Sequence, residues 1–109
     1  SFRVLADRSR SQPLFRIAAL HRMAAAQATK GEWLQAAESY RKAAADPGNA
    51  LALTSELLAG ICLERAGDPA AAVQLYQRII KDAGENDRAV RDASEERLLW
   101  LTATGHTAG

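Results

Sequence analysis

The side chains with the most chemistry to offer are His21, His106, Cys62 and the adjacent pair Glu95–Glu96. Histidine and cysteine ligate metals or act as base and nucleophile, but only with partners at suitable spacing. Neither histidine has a cysteine or an acidic residue at metal-ligand spacing, so no metal and no cofactor is expected. His21 reads as a helix-face residue and His106 as part of a tail. Cys62 sits between Ile61 and Leu63, where a cysteine behaves as a small buried hydrophobe. Glu95 and Glu96 point about 100° apart on a helix, which rules out a paired-carboxylate site. Arg91, four residues before Glu95, is expected to pair weakly with it at the surface. Gly31 and Gly67 are single turn glycines, not a phosphate-cradling loop. These residues predict a protein that is not an enzyme and works through its surfaces.

Composition narrows what positions those surfaces. The chain has 109 residues, enough for one domain with a modest core. Hydrophobic residues make up 48% but aromatics only 6%, and alanine supplies much of the difference. Alanine is the best helix former and is depleted in strands, so closely packed helices are expected. No apolar run approaches the roughly 18–20 residues of a membrane span, and no signal peptide is visible. The chain starts at Ser1 rather than methionine, which predicts a processed or excised fragment. One cysteine excludes an internal disulfide.

Net charge is +1, which predicts no general attraction to nucleic acid or acidic membrane. Its distribution is uneven: residues 1–30 carry +5 and residues 31–109 carry −4. Solvated helix faces account for this, and a polar axis that orients a partner or stacks molecules head to tail is the functional counterpart.

The elements repeat. Gly31, Ala36 and Tyr40 step by five and four residues, as do Gly67, Ala72 and Tyr76. The tyrosines lie 36 residues apart, and Ala43–Ala44 and Ile79–Ile80 follow each at the same distance. Phe2 followed by Leu5–Ala6 has the same spacing, so residues 1–10 are expected to close a preceding repeat's second helix. Ser11-Gln12-Pro13 predicts a helix start, with a helix to Thr29 burying Leu14, Ile17, Ala18, Leu20, Ala24 and Ala28. A second helix is expected from Glu32 to Ala45, burying Trp33, Ala36, Ala37, Tyr40 and Ala43–Ala44. Asp46-Pro47-Gly48-Asn49 breaks the chain. A third helix, Ala50–Ala66, carries Leu53, Leu57, Leu58, Ile61 and Leu63. Asp68-Pro69 opens a fourth helix running to Asp82. A fifth runs from Asp87 to Thr102; Leu98 and Gly105 lie 38 residues after Gly60 and Gly67, so it is expected to open a third repeat that stops before its partner helix.

These residues resemble the tetratricopeptide repeat, whose antiparallel helices carry a small residue, a turn glycine, then alanine, aromatic, alanine and proline. Ala24, Gly31, Trp33, Ala36, Tyr40, Ala43 and Pro47 fill those places once, and Gly60, Gly67, Ala72 and Tyr76 fill them again. The resemblance implies an all-α superhelix of antiparallel helix-turn-helix repeats, about five helices plus the N-terminal remnant. Its divisions would be 1–10, 11–48, 49–85 and 86–109 within one domain. The sequence departs from the pattern in its longer spacing, in Glu56 standing where a large apolar residue is usual, in Ile79 for alanine, in Pro47 one place early, and in a second repeat without a closing proline. The long-spaced, alanine-rich style is similar to arrays of bacterial envelope proteins, including secretion-machinery subunits and cell-division coordinators. That implies a bacterial cytoplasmic or periplasmic setting, the periplasm favoured.

The resemblance further implies a protein-binding scaffold whose first helices line a concave groove for a partner's peptide or helix. By spacing the groove presents Ala18, His21, Ala25, Ala28 and Thr29, then Thr54, Leu57, Ile61, Glu64 and Arg65, then Asp92, Glu95 and Leu99. Members that grip a terminal carboxylate use lysines and asparagines where this chain has His21, Ala25, Leu58 and Asp92, so that activity is not expected. A small apolar groove edged by Asp92 and Glu95 suits an apolar helix or a basic segment. The alternative is a homo-oligomerisation module, such as a homodimer, pairing exposed repeat ends through Leu98, Trp100 and Leu101. Neither reading calls for nucleic acid, a small-molecule substrate or a membrane span in this segment.

Overall fold

The computed structural model describes residues 2–104, with side chains described from Gln12 to Thr104. Five α-helices follow one another: α1 (Phe2–Thr29), α2 (Trp33–Ala45), α3 (Ala52–Arg65), α4 (Pro69–Asp82) and α5 (Arg88–Ala103), with a 3-10 turn at Glu85–Asp87 before the last. There is no strand among the described residues. Each helix packs against the next in sequence, and α3 also meets α5, so the chain is a row of antiparallel hairpins. None of the described helices is long and apolar enough to cross a membrane.

Two turns carry the repeat. Gly31 has φ +78° and Gly67 φ +85°, the left-handed conformation that closes a helix. Beyond each glycine the next amide reaches back into the helix, Glu32 to the Gln27 carbonyl at 2.8 Å and Asp68 to the Leu63 carbonyl at 3.0 Å. Asp68 then caps α4 by accepting from the Ala71 amide at 3.2 Å, ahead of Pro69 in the first turn.

The core runs through all five helices and is built largely of small residues. Ala24, Ala36, Ala59 and Ala72 are fully buried in one cluster with Tyr76, Ile79 and Leu101, and Ala43 is fully buried as well. The face of α3 turned inward is Ser55, Glu56, Ala59, Gly60, Cys62 and Leu63. Of the apolar set expected on α3, Leu53, Leu57, Leu58 and Ile61 are only half-buried. Small side chains let the helix axes approach, which leaves the larger ones at the margins of the contact. Glu56, the departure from the apolar pattern, is buried and receives Arg78 of α4 at 2.7 Å.

The first helix differs from expectation. It does not start at Pro13 but runs unbroken from Phe2, with Pro13 inside it. Proline gives up one backbone donor without ending a helix that continues on both sides. Gly48 in the α2–α3 turn lies directly against the Pro13 ring, where a Cβ would clash. Leu14 is not buried: it is 66% exposed, and its neighbour Phe15 is 67% exposed. At 1.5 Å per residue α1 is about 42 Å long and α2 about 20 Å, so α2 flanks only part of it. The side chains of Phe2, Leu5 and Ala6, on which the reading of residues 1–10 rests, lie outside the described residues, as do Gly105 and His106.

Candidate functional site

The residues singled out for a groove come from α1, α3 and α5, and two polar links tie those helices together. His21 of α1 meets Ser55 of α3, Nε2 to Oγ at 2.8 Å, and its ring stands edge-on to Tyr40 with centroids 5.1 Å apart. Asn49 donates to the same Ser55 hydroxyl at 3.1 Å and to the Ala43 carbonyl at 2.9 Å. At the other end Glu64 of α3 accepts from the Tyr76 hydroxyl of α4 and from both Nε and Nη2 of Arg97 on α5. Arg97 also lies over the Trp100 ring, 4.8 Å from its centroid.

The electrostatics follow from those contacts. Burial first, and the hydrogen bond to Glu64 second, push the Tyr76 hydroxyl far above its ordinary range. Arg97's own hydrogen bond to Glu64 raises its guanidinium, which therefore stays charged. Burial raises the Cys62 thiol, so the nucleophilic thiolate is disfavoured. Near the opposite end, Arg16 donates to Asp46 at 3.0 and 3.3 Å. Arg16, with help from the Gly48 amide at 2.9 Å, holds the Asp46 carboxyl below the usual carboxylate range.

The named groove residues divide into three kinds. His21 and Glu64 are half-buried and engaged by neighbouring helices, so neither is open to a partner in the way the spacing implies. Thr54, Leu57 and Ile61 are half-buried; Ala25, Thr29, Arg65, Asp92, Glu95 and Leu99 are exposed. Thr29 donates to the Ala25 carbonyl at 2.9 Å, and Arg65 lies 5.3 Å over the Trp33 ring. Arg91 pairs with Asp92 at 4.0 Å rather than with Glu95. Of the three residues expected to self-associate, Leu101 is only 2% exposed and belongs to the core, because α5 turns it onto the preceding hairpin. Leu98 packs on the same core, and Trp100 is 46% exposed. A cleft of about 570 Å³ lies between α3 and α5, lined by Ile61, Glu64, Arg65, Arg97 and Trp100 among others.

Sequence reasoning missed Arg97 and Arg78. Arg97 lies 33 residues from Glu64, beyond any local helix spacing. Arg78 had one signal: Glu56 interrupts an apolar position, and a buried carboxylate needs a partner on a neighbouring element. Among the described residues no three His, Cys, Asp or Glu side chains gather as a metal site.

Residues 54–90, which span α3, α4 and the start of α5, match the family model of the tetratricopeptide repeat. Such repeats generally mediate protein–protein interaction and are typically non-enzymatic modules. No curated protein and no solved structure matches the chain.

Proposed function

We propose, from the match of residues 54–90 to the tetratricopeptide repeat, that the shared face of α1, α3 and α5 holds a short helix or peptide of a partner protein. The observation that carries the reading is Leu99, 69% exposed on α5 next to the exposed carboxylates of Asp92 and Glu95. Leu57 and Ile61 continue the apolar strip on α3, and Ala25 continues it on α1. With His21 and Glu64 occupied internally, little polar recognition is left along the strip, so the partner's apolar side chains fill it. The exposed acidic edge, where only Asp92 has a cation beside it (Arg91 at 4.0 Å), favours a partner with basic residues at one end. A pull-down from lysate compares the native chain with Asp92→Lys/Glu95→Lys and with Leu99→Asp. Loss of the same proteins in both variants is the expected result, and an unchanged bound set refutes this face.

Self-pairing is the second reading, supported by the half-exposed Trp100 and the exposed Leu99 on one helix. Leu101 no longer contributes to it. Sedimentation over a range of concentrations separates the readings: a scaffold stays monomeric, whereas self-pairing gives a mass that rises with concentration and is abolished by Leu99→Asp.

A further inference from the structure

On the side of the molecule formed by α2 and α4, a second groove is lined by residues that the α1–α3–α5 face does not use. Its larger part encloses about 730 Å³ and its continuation about 280 Å³. Arg41 of α2, Arg78 of α4 and Leu63 of α3 line both parts, so the two meet between these arginines. The apolar surface comes from Leu34, Ala37 and Ala45 on α2, Leu63 beneath, and Ala71 and Leu75 on α4. Leu34 is 58% exposed at the α2 wall.

The charge of the groove is lopsided once internal pairs are removed. Glu56 is already bound by Arg78, yet the Arg78 side chain remains 58% exposed and a guanidinium has five donors, so most of its hydrogen-bonding capacity is open. Arg41 and Lys42 have no ion-pair partner among the described residues. Glu38 is the one acidic lining residue without such a pair among them. Cations therefore stand on both walls of an apolar trough, and α2 makes its length about 20 Å, three to four helical turns. An apolar floor between cationic walls complements one kind of segment: a helix with an apolar stripe flanked by carboxylates.

We propose that the α2–α4 groove is a second docking site, for an acidic amphipathic helix of another protein. The carboxylates of that helix bridge Arg41 and Arg78 while its apolar stripe covers Leu34 and Leu63. This site is distinct from the α1–α3–α5 face in both helices and charge, and the two accept partners of opposite character.

The probe is a labelled synthetic helix with leucine at every third or fourth place and glutamate on the flanks, with a lysine-flanked version as control. Fluorescence anisotropy should show saturable binding of the acidic helix, weakening as salt rises, and none of the lysine helix. Arg41→Glu/Lys42→Glu reverses charges that hold no internal contact, so the fold should persist by circular dichroism while affinity falls on the order of tenfold. Leu34→Asn, at the exposed apolar wall, should weaken binding as well. Asp92→Lys/Glu95→Lys should leave acidic-helix binding intact, which separates failure of this site from failure of the other face. No binding, equal binding of both helices, or indifference to Arg41→Glu/Lys42→Glu each overturns the proposal. Concentration-dependent self-association that disappears in Arg41→Glu/Lys42→Glu also overturns it, because the occupant is then a second copy.

Discussion

At the scale of single residues, Gly60 and Tyr76 form one of the two tightest glycine contacts among the described residues, beside Gly48 and Pro13. A Cβ on Gly60 would sit 2.5 Å from Cε1 of Tyr76. That ring is fully buried and its hydroxyl is tied to Glu64, so it has nowhere to retreat. Gly60→Ala is therefore expected to cost about 1–3 kcal/mol, as overpacking does, despite alanine's better helix propensity; urea unfolding measures it. Tyr76→Phe keeps the ring and removes one donor to a carboxylate, which should cost about 1.5–3 kcal/mol. It should also change the response to base. The native hydroxyl is raised, so its stabilisation is complete below the ordinary tyrosine range near pH 10 and is lost as pH climbs above it. Tyr40, raised mainly by burial, acts in the same direction. The alkaline loss of stability should thus be shallower in Tyr76→Phe but not absent. A variant as steep as the native chain would mean that Tyr76 ionises freely in the fold.

At the scale of elements, the joint between α1 and the α2–α3 turn depends on Asp46. Its carboxylate accepts from Arg16 on α1 and from the Gly48 amide, while Gly48 lets the turn close onto Pro13. Because Asp46 is depressed, its contribution is present above the ordinary carboxylate range near pH 4 and disappears as pH falls through the lower native value. Asp46→Asn should be less stable than the native chain near neutrality and converge with it in acid, as followed by denaturant midpoints. A constant gap across pH would remove the ion pair from the account. This joint was not legible in the sequence, and the reason is physical. Ser11-Gln12-Pro13 has the local chemistry of a helix start, and nothing local reveals that α1 carries on through it. Turn chemistry, by contrast, is local. Gly31, Gly67 and Asp68-Pro69 identified their turns because left-handed backbone and capping depend on a few adjacent residues. On α3 the pattern of leucines located the helix but not its inner face, which close packing gave to Ser55, Ala59 and Gly60. The residues named for the groove were likewise legible by spacing, whereas the internal ties of His21 and Glu64 depend on helices 33 and 34 positions away.

At the scale of the whole molecule, a row of hairpins is only as rigid as its neighbour contacts, and α5, the last described helix, rests on α4 and more lightly on α3. Glu64–Arg97 is the ion pair that joins it to α3. The Glu64 side chain is 10% exposed and that of Arg97 38%, so the pair lies between a surface bridge and a buried one. Arg97→Ala should cost about 1–2 kcal/mol after discounting for solvent, much of it from leaving Glu64 with Tyr76 alone. Because the contact is terminal in the described array, the loss should be local: amide exchange should quicken along α5 while α2 and α3 keep their protection. The two proposed docking surfaces should then respond differently. Leu99, Asp92 and Glu95 ride on α5, so loosening it should weaken the partner of the α1–α3–α5 face. Arg41, Lys42 and Arg78 ride on α2 and α4, so the acidic helix should bind as before. Uniform loss of protection across all helices, or parallel loss of both binding activities, would show one cooperative unit instead of a row of separable contacts.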